Sequence, residues 1–249
     1  MQTHADYFSA HAAGYRRYRP HYPRALGEYL AQLPQRRAFA LDCGCGTGQL
    51  TTLLAGHFDA VVAIDASAEQ VAQAPPHPQV EYRVAAAEAF GLPDSSVDLI
   101  TAAQAAHWFD LDAFFTEVRR VLKPSGALAL LCYGVIEIEH SCNGLVSDLY
   151  SRILAPYWPA ERRHVDTGYS QLPFPLSEEQ TPHMSMRADW TADDLVGYLL
   201  TWSAIRVAER LGKQRDVHES LSAIHASVAS SPGPISVRWP LRIRVGRLP

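Results

Sequence analysis

Residues 38–50 read AFALDCGCGTGQL: an apolar run, Ala38–Asp42, then the cluster Asp42-x-Gly44-x-Gly46-x-Gly48, then a helix pattern through Leu50, Leu53 and Leu54. A strand, a glycine turn and a helix in that order open a parallel α/β sheet. The glycines allow a sharp turn and let a ligand lie against bare amides where the helix begins. The next run, Ala60–Asp65 (AVVAID), ends in a second acid. A carboxylate at that strand end can accept both hydroxyls of a ribose. A nucleoside-bearing ligand is therefore expected above the carboxyl ends of the strands. The dinucleotide fingerprint needs glycine where this chain has Gln49; here the third glycine comes one place early, at Gly48.

The pattern continues outward from this unit. A short helix around Glu69–Gln73 must stop at Pro75-Pro76. Val80–Val84 reads as a third strand and Val97–Ala102 as a fourth. From Asp110 to Leu122 the apolar positions Leu111, Phe114, Phe115, Val118, Val121 and Leu122 follow helical spacing, with Asp110 as N-cap and Lys123-Pro124-Ser125-Gly126 as the turn that ends it. Ala127–Tyr133, almost wholly apolar, suits a fifth strand covered on both faces. Residues 134–180 break the rhythm with a helix pattern near Leu145–Leu154 and the Pro- and aromatic-rich run Pro156-Tyr157-Trp158-Pro159. Regularity returns in the strand His183–Ala188 and in a helix opened by Thr191 and Asp194 at capping-box spacing. The last run alternates Val237, Trp239, Leu241, Ile243 and Val245 with Arg238, Arg242 and Arg244. It suggests an antiparallel strand with a wet arginine face, and Pro240 favours an edge or a bulge.

Composition sets the outer limits. The chain has 249 residues, with 22 Lys+Arg against 26 Asp+Glu and a formal charge of −4. A chain of this length buries enough surface to fold without disulfides or metal. The mild acidity argues against a dedicated nucleic-acid binder. The longest apolar run, Ala127–Cys132, is far too short to span a membrane, and residues 1–20 lack the apolar core of a secretory signal. Cys43, Cys45, Cys132 and Cys142 are too few for a disulfide framework, and no second Cys or His cluster accompanies Cys43-x-Cys45, so no metal is expected. A cytoplasmic protein, monomeric or homodimeric, is the expectation.

Four segments in order, LDCGCGTGQL, AIDAS, AAAEAFGLPDSSVDLI and RRVLKPSGALAL, resemble class I S-adenosylmethionine-dependent methyltransferases across residues 38–133. Shorter islands narrow the likeness: Tyr15-x-x-Tyr18-Arg19-Pro20-x-Tyr22-Pro23, Ala106-His107-Trp108-Phe109-Asp110, Pro156-Tyr157-Trp158 and Thr201-Trp202-Ser203-Ala204 resemble the trans-aconitate-type small-molecule methyltransferases. The resemblance implies a Rossmann-like, seven-stranded, mostly parallel sheet with its last strand antiparallel beside strand five and helices on both faces. Within one domain, residues 1–37 would form a helical cap, 38–134 the cofactor-binding core, 135–182 a lid insertion and 183–249 the rest of the sheet.

The resemblance also implies S-adenosyl-L-methionine as cofactor and a site. Asp42, Gly44, Cys45 and Gly46 would face its methionine part, and Asp65 with Ala66 its ribose. Ser67, Ala87 and Glu88 would follow the adenine, and Gln104 would lie near the methyl group. Tyr15 and Arg19 would close on the carboxylate end. Relatives often carry Asp or Asn where this chain has Ala86, so the adenine amino group needs another partner here. Tyr18, His107, Trp108, Tyr157 and Trp158 are the candidates for touching a small-molecule acceptor.

Each candidate has a plainer reading beside it. His107, the one catalytic candidate, reads equally as a general base, a substrate donor or a packed histidine. Trp108 and Phe109 suit a pocket wall or helix packing, and Trp202, at core spacing with Leu195 and Leu199, suits the core. Tyr157 and Trp158 sit in a Pro-rich loop and suit a lid. Arg16, Arg17, Arg19, Arg162 and Arg163 could grip an anion, although any one alone is by default a solvated surface residue. The expected reaction is methyl transfer to an oxygen of a small metabolite, a carboxylate being the leading acceptor. The alternatives are carbon or nitrogen methylation, a nicotinamide-dependent oxidoreductase, or a binding module that has lost turnover.

Overall fold

Five apolar runs become the parallel half of one sheet in the computed structural model, which describes residues 18–249. They are β1 (Phe39–Cys43), β2 (Ala60–Asp65), β3 (Val80–Val84), β4 (Val97–Ala103) and β5 (Leu122–Tyr133), in spatial order β3-β2-β1-β4-β5. Their residues alternate between two cores, as successive side chains on a strand must. Ala40, Leu99, Ala129 and Leu131 face one, and Leu41, Ile100, Leu128 and Leu130 the other. On the first side they pack against α1 (Arg24–Leu30) and α2 (Gln49–Ala55). On the second, Phe114, Phe115, Val118 and Val121 of α4 (Leu111–Val121) cover them. Between β2 and β3 lies α3 (Ala68–Ala72).

The sheet is completed by β6 (Glu137–Ile138), β7 (Ser177–Glu179), β8 (Met184–Trp190) and β9 (Ile235–Arg247). Antiparallel β9 pairs with β5 from Leu128↔Gly246 to Tyr133↔Leu241 and with β8 from Met184↔Leu241 to Trp190↔Ile235. Seven main strands thus have the expected topology, and the short β6 and β7 add two more on β9.

Pro240 does not mark an edge. It sits inside β9, where the ladder on one side lapses between Tyr133 and Glu137, so its missing N–H lies at a break in pairing. The arginine face is not simply wet either. Arg244 pairs with Glu178, donates to the carbonyls of Tyr169 and Leu172 at 2.7 and 2.9 Å, and lies over the Phe174 ring. Arg238 pairs with Glu137. The insertion after β5 therefore wraps onto this face.

Other departures are local. The helix pattern near Leu145–Leu154 forms α5 (Asn143–Asp148), a π-helical turn at Leu149–Ile153 and a 3-10 turn at Ala155–Tyr157, followed by α6 (Arg162–Asp166). Pro156, which has no N–H, lies within the 3-10 turn, where a longer α-helix cannot continue. Thr191 and Asp194 form the capping box of α7 (Ala192–Leu199). Trp202 is buried as expected, but it caps the next helix, α8 (Ser203–Arg210), and does not extend α7. The sheet's C-terminal cover is finished by α9 (Gln214–Ala229).

The turn Lys123-Pro124-Ser125-Gly126 stays in the sheet, because β5 already begins at Leu122 and shifts register against β4. Lys123 Nζ lies 2.8 Å from Asp98 Oδ1, while Asp98 Oδ2 accepts the Phe39 N–H at 2.9 Å. Asp98 is 1% exposed. Removing the cation strands a buried carboxylate at the joint of β1, β4 and β5. Lys123→Met is expected to cost about 3 kcal/mol in urea unfolding, the low end for a broken buried pair because the lysine keeps some contact with water. An unchanged midpoint would show that the pair contributes nothing.

Candidate active site

The turn after β1 is fixed by two conditions that only its residues meet. Gly44 has φ +66°, and a Cβ there would come 2.4 Å from the Ala105 Cβ, so glycine lets the turns after β1 and β4 touch. Asp65, at the tip of β2, accepts the Gly46 N–H through Oδ2 at 2.8 Å and the Ser67 N–H through Oδ1 at 2.9 Å. Ser67 in turn caps α3 by accepting from the Gln70 N–H. Burial raises the Asp65 carboxyl above its ordinary value, and the two N–H groups oppose that rise.

Asp42, 1% exposed, accepts from the Thr51 hydroxyl at 2.6 Å and the Thr101 hydroxyl at 2.8 Å. Burial pushes its carboxyl up to about 6, and the two hydroxyls keep it from rising further. It is ionised at neutral pH.

These groups line a cavity of about 330 Å³ that crosses the carboxyl edge of the sheet, a size suited to a small-molecule site. Its wall follows the strand order. Residues 85–88 follow β3, Asp65 and Ser67 follow β2, Asp42, Gly44 and Gly46 follow β1, Gln104 and Trp108 follow β4, and Tyr133 ends β5. Gln104 holds φ +55°, rare for a residue with a side chain, and its amide donates to the Tyr133 carbonyl at 2.8 Å. Arg19 donates to the Tyr133 hydroxyl at 3.1 Å and lies 5.7 Å from the centre of the Tyr198 ring.

Of the sequence candidates, the structure brings Arg19, Asp42, Gly44, Cys45, Gly46, Asp65, Ala66, Ser67, Ala87, Glu88, Gln104 and Trp108 to this one cavity. Four others stand outside its wall. Tyr18 packs on Gly197, where a Cβ would meet its ring at 2.5 Å. His107 turns its Nδ1 to the Tyr169 hydroxyl at 2.8 Å. Trp158 packs at a tilt against the Tyr150 and Trp202 rings, donates to the Tyr150 carbonyl, and packs against the core together with Tyr157. Tyr15 lies outside the described residues.

Phe109 stands in the wall, as the pocket-wall reading expected; sequence reasoning missed Tyr22 and Tyr133 as wall residues, and it missed Gln49, whose Nε2 is buried without a protein partner. The rule that ligands lie beyond strand ends would have found Tyr133.

The described wall carries the carboxylates Asp42, Asp65 and Glu88 at one end and the guanidinium of Arg19 near the other. A pyrophosphate laid on the glycine turn would face Asp42 and Asp65, whereas a ligand carrying a cation is attracted there. The unpaired Gln49 amide and the paired acids fit a polar, cationic adenosyl ligand.

A methyltransferase domain model matches residues 41–130. A protein of Dictyostelium discoideum assigned as a methyltransferase is 31% identical over 243 residues, covering 95% of this chain and 92% of that one. A solved structure from Anaeromyxobacter dehalogenans, assigned as a type II methyltransferase, is 44% identical with a TM-score of 0.85 and covers 93% of this chain and 99% of that one. The malonyl-[acyl-carrier protein] O-methyltransferase of Enterobacter lignolyticus is 35% identical over 128 residues, about half of each chain (47% and 51%).

Two outcomes follow from this geometry. Because the Asp42 carboxyl titrates near 6 and its ionised form favours a cation, S-adenosylhomocysteine, with its ammonium group, should bind more weakly as pH falls. The expected loss below pH 6 is up to about ten-fold per pH unit by calorimetry, and Asp42→Asn should flatten it. A flat wild-type profile from pH 5 to 7.5 would remove Asp42 from the ligand's surroundings. Separately, Gly→Ala inside a helix ordinarily stabilises by about 1 kcal/mol. Gly197→Ala should instead displace Tyr18 and speed dissociation of the same ligand in stopped flow, and an unchanged off-rate would show that the Tyr18 seat is idle.

Proposed function

The chain belongs to the class I S-adenosylmethionine-dependent methyltransferases, and from that premise we propose that it methylates an oxygen of a small metabolite, a carboxylate in the first instance. S-adenosylmethionine is its cofactor and, when bound, supplies an activated methyl group on a sulfonium. We assign the residues that hold it by strand order. Asp65 and Ala66 take the ribose, Ser67, Ala87 and Glu88 the adenine, and Asp42, Gly44, Cys45 and Gly46 the methionine part. Arg19, with Tyr15 from the same segment, takes the carboxylate end, and Gln104 lies beside the methyl group. In this reading residues 1–37 and 135–182 cover the core 38–134, and 183–249 complete the sheet.

The observation that carries the acceptor class is what faces the β4–β5 end of the cavity. Among the described wall residues there, Gln104, Trp108, Phe109, Tyr22 and Tyr133, none is a carboxylate or an imidazole, and His107 stands behind the wall with Nδ1 held by Tyr169. A carboxylate with a pKa of about 4 is ionised at neutral pH and needs no base, whereas a phenol near 10 needs one. The work left to the protein is to orient the acceptor and exclude water, which Trp108, Phe109 and Tyr133 are suited to do. The likeness to a malonyl-[acyl-carrier protein] O-methyltransferase supports an oxygen acceptor. The four cysteines, free and buried, fit a reducing compartment, and we place the reaction in the cytoplasm.

A methyl-donor turnover screen over di- and tricarboxylates, fatty acids and phenols tests this. Base-labile methyl esters are the expected products, and His107→Gln should keep turnover within about five-fold with no new basic limb between pH 6 and 8. Turnover confined to phenols or amines, or lost with His107, would overturn the carboxylate assignment.

A further inference from the structure

The insertion after β5 sends one side chain beneath the site. Tyr169 is 1% exposed and holds φ +64°, a backbone conformation that a bulky residue keeps only where its surroundings enforce it. The enforcement is visible. Arg244 of β9 donates to the Tyr169 carbonyl at 2.7 Å and to the Leu172 carbonyl at 2.9 Å. The Tyr169 N–H donates to the His164 carbonyl at 2.7 Å, and Gly168 lies so close to Arg242 that a Cβ there would meet its side chain at 2.9 Å.

Held in this way, the phenol oxygen sits 2.8 Å from His107 Nδ1. His107 is the middle residue of the 3-10 turn Ala106–Trp108, which follows the cavity residue Gln104 and delivers the cavity residue Trp108. The His107 and Trp108 rings are 4.8 Å apart, centre to centre. Burial raises the Tyr169 phenol well above its ordinary value. The phenol therefore keeps its proton, and the His107 Nδ1 at 2.8 Å is the acceptor placed to receive it. A neutral imidazole that accepts at Nδ1 carries its own proton on Nε2.

We propose that Tyr169 is a positioning residue: its hydroxyl holds His107 as the neutral Nε2–H tautomer and, through the indole packed at a tilt against that imidazole, sets Trp108 in the cavity wall. His107 is then a strut of the site and not its base. The assignment rests on the methyl-transfer reading for its purpose, while the tautomer is a property of the protein alone.

Nitrogen-15 histidine spectra of the full chain test the tautomer, with His107 identified by the signal lost in His107→Gln. Wild-type protein should show the Nε2–H pattern at pH 8. Tyr169→Phe, which keeps the ring and removes the hydroxyl, should give a mixture of the two neutral tautomers at the same pH, and should weaken S-adenosylhomocysteine binding by about five-fold, the worth of one neutral hydrogen bond. A proton on Nδ1 in the wild type would overturn the proposal even if Tyr169→Phe failed to fold. So would a Tyr169→Phe protein with unaltered tautomer and affinity. Failure of wild-type protein to bind S-adenosylhomocysteine would strike the methyl-transfer reading instead and leave the spectra to decide the tautomer.

Discussion

Two backbone N–H groups on one carboxylate hold this site together. Asp65 joins Gly46, in the turn after β1, to Ser67, in the turn after β2, and so fixes the spacing of two loops from neighbouring parallel strands. Parallel strands alone align only their ladders; their loops remain free to spread. Here the loops are tied at one point by Asp65 and pressed together at another, where Gly44 meets Ala105. The cavity is the space those two constraints leave open.

The same constraints sort its charge. Acids stand at the ends of β1 and β2, where the chain turns sharply and amides are exposed, and aromatic and amide side chains stand at the ends of β4 and β5. A ligand lying across the edge meets the Asp65 carboxylate, then a buried anion at Asp42, then a drier aromatic end. That order suits a molecule with a nucleoside at one end and a cation in the middle, and under the proposed reading the reacting group lies where water is most easily excluded.

Much of this was legible in the sequence because it is local. The apolar runs, the glycine turn, the Asp110 N-cap and the Thr191–Asp194 capping box each declare themselves within a few residues. What escaped depends on partners far along the chain. Pro240 reads as an edge or a bulge, and only the gap between Tyr133 and Glu137 beside it decides against the edge. Arg238 and Arg242 are exposed, as they read, but Arg244 reads as solvated until Glu178 and the Tyr169 and Leu172 carbonyls arrive from the insertion. Tyr18 finds Gly197, and His107 finds Tyr169, across 62 residues in the second case. No pattern in either neighbourhood announces these pairs.

The central claim is that an acid-lined glycine turn selects an adenosyl amino acid, with its ammonium group, over a pyrophosphate. Parallel calorimetric titrations of the protein with S-adenosylhomocysteine and with NAD at pH 7.5 test it most directly. Stoichiometric binding of the first and no heat from the second is the predicted result; binding of NAD with none of S-adenosylhomocysteine would contradict it.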